Sequence, residues 1–240
     1  MSTRGAALVR FYRLLDELQE LNGGLQRLAN AGPEGPWPRR GVVWFFEKGE
    51  TRRESGDGPR VVRVGTHALK AALKSTLWDR LAADASGAHR GSQFRTFVGL
   101  ALRDVMGRTE PQSWGRGADT AAAGAKRGMD ADAVTRAEAG LEAAVSLYVG
   151  QMPFLFLAVD DSPGPNSQRA VIEKNSIALL SNYARPALDA PSKGWLGRRC
   201  SRDKVPQSGL WNTQHVDAAY DPSFMDSMKS CMEEMRQTLA

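Results

Sequence analysis

Glu173, in the segment NSQRAVIEKNSIALLSNY, shares a helical stripe with Ile177 and Leu180, four and seven residues on. Its carboxylate is therefore aimed at an apolar interior or a cleft in it, where it must be paired, protonated or bound to a cation. A salt bridge with Arg169, one helical turn back, is one solution, and a metal-ligand role is another. Arg80 lies three residues after Leu77 and next to Leu81, at the edge of an apolar stripe, so its stem can be buried while its guanidinium is presented. That planar fork suits a phosphate, or a pair with Asp84 at i+4. His67 stands just past a strand end, placed to meet a phosphate or to cap the turn. His89, Arg90 and Arg95 gather positive charge where Ser92 can cap a helix, a place that holds phosphate or simply solvates its charges. Further on, Lys193, Arg198, Arg199, Arg202 and Lys204 are interleaved with Trp195 and Trp211. Such a mixture suits nucleic acid, with charge for the backbone and rings for the bases, although the rings can equally anchor the loop to the core. Asn212 and His215, in SGLWNTQH, can approach the same cleft. Asp160 and Asp161, in DDSPGPNS, can ligate a metal or build a turn.

The elements that must position these groups follow from periodicity. Gly41 to Glu47 (GVVWFFE) is apolar on both faces, the mark of a central strand covered on both sides. A polar loop, TRRESGDGP, returns the chain through Val61 to Val64, which predicts a hairpin, and STLWDRL then begins a helix. Helices are predicted from Ser92 to Val105 and from about Asp132 to Tyr148, and MPFLFLAVDD supplies a third strand. Between them, residues 107–129 read as an inserted loop, with Trp114, Arg116, Lys126 and Arg127 as candidate nucleic-acid contacts. Residues 6–30 carry Leu8, Phe11, Leu14, Leu15, Leu18, Leu21 and Leu25 at helical steps, weakened at Gly23 and Gly24. That helix is laid on the core or serves as a dimerisation arm. A last amphipathic helix, from about Pro222, brings Phe224, Met225, Met228 and Met232 to one side. The expected organisation is residues 1–37 as helix and linker, 38–190 as the main domain, and 191–240 as a basic, aromatic loop with the final helix.

With 240 residues and 42% hydrophobic content, the chain has enough apolar material for one substantial core. A formal charge of +5 and a pI near 9.4 agree with a phosphate-backbone partner. No run approaches the roughly 18 apolar residues that a bilayer span needs, and the N-terminus turns amphipathic and acidic, so a cytoplasmic protein without a membrane partner is expected. Cys200 and Cys231 have no CxxC spacing and no nearby His pair, which excludes a zinc knuckle and leaves two free thiols. No phosphate-binding Gly-rich loop and no recognisable Ser/His/Asp arrangement occurs.

The order of these segments resembles the GIY-YIG nuclease superfamily. Gly41-Val42-Val43 stands in the place of GIY, Arg63-Val64-Gly65 in the place of YIG, Arg80 in the place of the arginine on the following helix, and Glu173 in the place of the late-helix glutamate. Asn182 resembles the asparagine that follows that glutamate. Both motif tyrosines are replaced, by Val43 and Arg63, and Asp84 stands where a histidine often follows the arginine. ALKAALK reads as an insertion before Arg80, and the literal YVG at Tyr148-Val149-Gly150 is a decoy at a helix end.

The resemblance implies an α/β (α+β) fold: a small antiparallel three-stranded sheet flanked by helices, with helical additions at both ends. It implies a metal-dependent endonuclease acting on nucleic acid, with DNA the expected partner. Glu173 would hold Mg²⁺ or Mn²⁺ and Arg80 would neutralise the phosphate, with Arg63 a second phosphate contact and His67 beside them. Valine cannot exchange a proton. Another group, such as His67, His89 or Tyr183, then takes the tyrosine's role, or the domain binds nucleic acid without cutting it. A structural or protein-interaction role is the third alternative.

Overall fold

The computed structural model describes residues 3–69, 74–125 and 127–239. Most of the ALKAALK insertion, and Lys126, lie outside the described residues. In chain order the elements are α1 (Thr3–Leu21), β1 (Gln26–Arg27), β2 (Gly41–Thr51), β3 (Pro59–Thr66), α2 (Leu77–Ser86), α3 (Gln93–Val105), α4 (Thr120–Ala125), α5 (Ala131–Gly150), β4 (Pro153–Ala158), α6 (Gln168–Leu180), α7 (Lys204–Ser208) and α8 (Phe224–Leu239).

The strands form one antiparallel sheet in the order β1-β4-β2-β3. It has four strands where three were predicted. The addition is β1, two polar residues paired with Phe154 and Pro153 along the outer side of β4. The sheet's period of two sorts the side chains of β2 onto two covered faces. Trp44 meets Phe11 of α1 with ring centroids 6.4 Å apart, and Phe11 meets Phe224 of α8 at 5.9 Å. Phe45, on the opposite face, meets Phe94 of α3 at 5.8 Å. Both helical ends of the chain thus pack into the same core as the sheet. Gly41 lies so close to β4 that a Cβ there would run into the Leu157 carbonyl oxygen, which fixes a glycine at the first position of β2.

Helix boundaries follow local chemistry. Thr76 caps α2 in a capping box with Asp79, Ser92 caps α3, Asp130 caps α5 and Ser167 caps α6. The N-terminal helix stops at Leu21, because Gly23 and Gly24 both take positive φ (67° and 106°).

The outer edge of β3 is not left bare. Val62 O accepts from Trp211 N at 2.7 Å, and the Asn212 amide both donates to Val64 O (2.8 Å) and accepts from Val64 N (3.0 Å). Two residues further along the same edge, Thr66 N donates to Glu173 Oε1 at 3.1 Å. The segment after α7 and the carboxylate of α6 therefore continue the ladder where no strand does.

Candidate active site

Because Phe45 pairs with Arg63 and Val43 with Gly65, residues 43, 63 and 65 point to the face of the sheet that carries α2 and α3. There Arg63 is 6% exposed, with its guanidinium 4.2 Å from the centroid of Phe94. Arg63 Nη1 donates to Asp84 Oδ2 at 2.8 Å, while Arg80 Nη2 lies 3.1 Å from Asp84 Oδ1. Ser92 Oγ donates to the same Oδ1 at 2.6 Å. One fully buried carboxylate thus holds two arginines that come from a strand and a helix. The pair expected between Arg80 and Asp84 forms, and it is half of a fork whose other prong lies 21 residues away.

That fork borders a cavity of about 270 Å³, which Arg63, Arg80, Glu173, Asn212, Gln214 and His215 line together. Glu173 makes no salt bridge with Arg169, because Arg169 is turned to Asp161 and to the His67 carbonyl. Burial pushes the Glu173 carboxyl up to about 7, against the pull of Arg63, the Thr66 N–H, Arg80 and Arg169. Its Oε2 has no hydrogen-bond partner among the described residues. An unmet carboxylate oxygen beside two guanidinium groups on one cavity is what a charged ligand would complete.

A second cavity of about 500 Å³ adjoins the first through Gln93, Phe97 and Thr213, which line both. Arg90, Arg202 and Lys204 stand on its walls. Arg90 is held by both oxygens of Glu138 (2.5 and 2.7 Å), and Lys204 is paired with Asp217 at 2.8 Å.

Of the remaining predicted residues Trp211 lines the smaller cavity and His89 the larger, and the others are dispersed. His67 is buried, its Nε2–H donates to Arg39 O at 3.1 Å, and burial beside Arg169 pushes its pKa down to about 4. His89 and Arg95 are buried on Glu142, which accepts from His89 Nδ1 at 2.8 Å and from Arg95 Nη2 at 2.6 Å. Asn182 does not reach the cavity. Its side chain accepts from Arg4 Nη2 (3.0 Å) and Leu188 N (2.9 Å) and donates to Leu188 O, which closes the turn after α6. Trp195 and Trp211 are buried, and both donate their indole N–H to Glu47. Lys193, Arg198 and Arg199 are exposed; Arg198 donates to the Pro191 and Ser192 carbonyls, and Arg199 faces Asp104 at 3.7 Å. Asp104 belongs to the end of α3 away from Gln93, so this basic group does not border the cavity of Glu173. Asp160 is exposed, and Asp161 serves Arg169.

Sequence reasoning passed over Asp84 as a site residue, and with it Gln93, Phe97, Thr213 and Gln214. Asp84 carried one legible signal, its spacing from Arg80; the others carried none, because they enter the cleft only through tertiary packing.

The divalent ion that the resemblance implies fits Glu173: a carboxylate with one oxygen unpartnered, raised by burial, on a cavity of about 270 Å³. Among the described residues no cluster of three or more His, Cys, Asp or Glu is placed to hold a metal unaided. Water and substrate oxygens would then complete the shell, which suits Mg²⁺. No helix among the described residues is long and apolar enough to cross a membrane.

In comparison with known proteins, the family model described as GIY-YIG domain matches residues 2–238. No curated protein and no solved structure matches the chain.

Proposed function

The chain belongs to the GIY-YIG domain family, which is nuclease-like, and on that premise we propose that it hydrolyses phosphodiester bonds of nucleic acid, DNA in the first instance, with Mg²⁺ or Mn²⁺ at Glu173. The observation that carries this reading is the convergence of Glu173, Arg80 and Arg63, from α6, α2 and β3, on one cavity of about 270 Å³. A divalent ion, when bound there, supplies positive charge beside the leaving oxygen. Arg80 and Arg63 bind the scissile phosphate and offset the charge that builds on its oxygens, while Asp84, itself held by the Ser92 hydroxyl, keeps both guanidinium groups in place beforehand. Phe94 and Phe97 give the site an apolar wall, which keeps the charges effective. Arg202 lies exposed on the larger cavity, where the strand would continue, and it receives a neighbouring phosphate.

The test is cleavage of supercoiled DNA, linear DNA and structured RNA with Mg²⁺, Mn²⁺ or EDTA, run beside Glu173→Ala. Metal-dependent cutting that disappears in the variant is expected. Retention of DNA at low salt with no cutting by either protein would overturn the enzyme reading. A second reading, a nucleic-acid-binding module that does not cut, is favoured by one observation: Val43 and Arg63 occupy both tyrosine positions.

A further inference from the structure

We propose that His215 is the general base, the group that takes the proton of the attacking water in place of the missing tyrosines. The inference rests on the hydrolytic reading above and deepens it.

Of the residues that line the smaller cavity, Glu173 and His215 alone can accept a proton near neutral pH, and on the hydrolytic reading Glu173 would hold the cation. The three groups that the sequence offered for this role are elsewhere. His67 is buried against Arg39 and does not border the cavity. His89 donates through Nδ1 to Glu142 and accepts at Nε2 from Gly115 N, so both ring nitrogens are used. Tyr183 lies under Lys204, 5.5 Å from its ammonium, and outside the cavity lining.

His215 is also held in place. Its backbone is left-handed, with φ 61°, a conformation that non-glycine residues rarely take, and Ala218 N donates to its carbonyl at 3.2 Å. The ladder of Trp211 and Asn212 on β3 fixes the segment just before it. The imidazole itself makes no hydrogen bond among the described residues, so its nitrogens are available to water. The charged groups that act on it are Lys174 on α6 and Asp217 on its own segment, while Glu173, Arg63 and Arg80 line other walls of the same cavity. Burial and Lys174 hold the ring below its ordinary range against the opposing pull of Asp217, so it is neutral at pH 7 and able to accept a proton.

The step balances without an oxidant or reductant. The water O–H bond breaks as the oxygen bonds to phosphorus, and the proton goes to the imidazole. The bond from phosphorus to the leaving sugar oxygen breaks, and that oxygen takes a proton from solvent. The imidazolium returns its proton to solvent, and the enzyme is restored.

His215→Asn is the chosen variant, because asparagine tolerates positive φ and removes only the base. Three readouts are needed: kcat and kcat/KM from pH 5 to 9, rescue by added imidazole, and DNA affinity in EDTA. The expected result is a loss of about 10²- to 10⁴-fold in kcat, disappearance of the acidic limb of the pH profile, partial rescue by imidazole, and unchanged affinity. Cleavage by the variant at the wild-type rate and pH profile would overturn the proposal. So would weakened binding in EDTA with kcat retained, which would make His215 a phosphate contact only. In the wild-type protein, the NMR titration of the His215 ring should match the acidic limb of kcat/KM, and a mismatch of a full pH unit overturns the proposal whether or not the variant folds. Failure of the wild-type protein to cleave any substrate, with DNA still bound in EDTA, would overturn the hydrolytic reading and this inference with it; cleavage without a role for His215 overturns the inference alone.

Discussion

Glu142 and Glu173 sit in similar company, each facing cationic side chains on the α2/α3 side of the sheet, and they end at opposite extremes. Burial raises both. At Glu142 the ring and backbone N–H of His89 and the Arg95 guanidinium overcome that effect and hold the carboxyl at about 2. At Glu173 a single N–H, from Thr66, reaches the carboxylate, and it is pushed up to about 7. Arg95 gives its Nη donors to Glu142, to Ser146 Oγ and to the carbonyls of Asp84 and Ala85, whereas Arg80 and Arg63 reach Asp84 and leave Glu173 with no direct hydrogen bond from a guanidinium. The same residue types therefore make a closed brace in one place and an open site in the other. What separates them is how many of the carboxylate's partners the protein itself supplies.

The largest expected effect tests the open half. Glu173→Gln should lower metal-dependent cleavage by about 10²- to 10³-fold, measured as kcat on plasmid DNA. It should also stabilise the metal-free protein. A carboxyl near 7 in the fold and near 4.5 unfolded binds more protons when folded, so stability falls as pH rises from about 4.5 through 7 and stays low above. Urea unfolding in EDTA should thus show the Gln variant more stable than wild type at pH 8 by up to about 3 kcal/mol, with no difference of that kind at pH 4. A wild-type stability that is flat across this window would break the comparison.

Glu142→Gln tests the closed half, with the opposite sign. Removing the carboxylate strands His89 and Arg95 in the core, at a cost of about 3 kcal/mol. The depressed carboxyl of the wild type contributes stability that is present above about 4.5 and lost as pH falls through about 2. Acid unfolding followed by circular dichroism should therefore lose much of its steepness in the variant. The smallest effect concerns the cleft's rim. Arg202 is exposed on the larger cavity, so Arg202→Gln should reduce the salt slope of DNA binding in EDTA by about one counterion; an unchanged slope would place the strand elsewhere.

Much of this contrast was written in local pattern. The doubly apolar β2, the hairpin to β3, the strand at Pro153–Ala158 and the Glu173 stripe on α6 are all short-range signals, and the structure contains each of them. Strand β1 left no such trace: Gln26 and Arg27 are polar, and they pair only because β4 offers them an edge. The basic residues around His89 read the same in sequence whether they are open to a ligand or not. Their closure depends on Glu138 and Glu142, some fifty residues away. The shared role of Asp84 was hidden for the same reason, since spacing reveals its bond to Arg80 and not its bond to Arg63.

The ladder on the outer side of β3 has a consequence for the behaviour of the chain in solution. Val62, Val64 and Thr66 would present a row of free backbone groups if Trp211, Asn212 and Glu173 were withdrawn, and such a row is a template for strand addition by another molecule. The segment that walls the cleft is thus also a guard against self-association. A chain ended before Trp211 should form β-rich oligomers and aggregates, even in a preparation whose remaining helices fold.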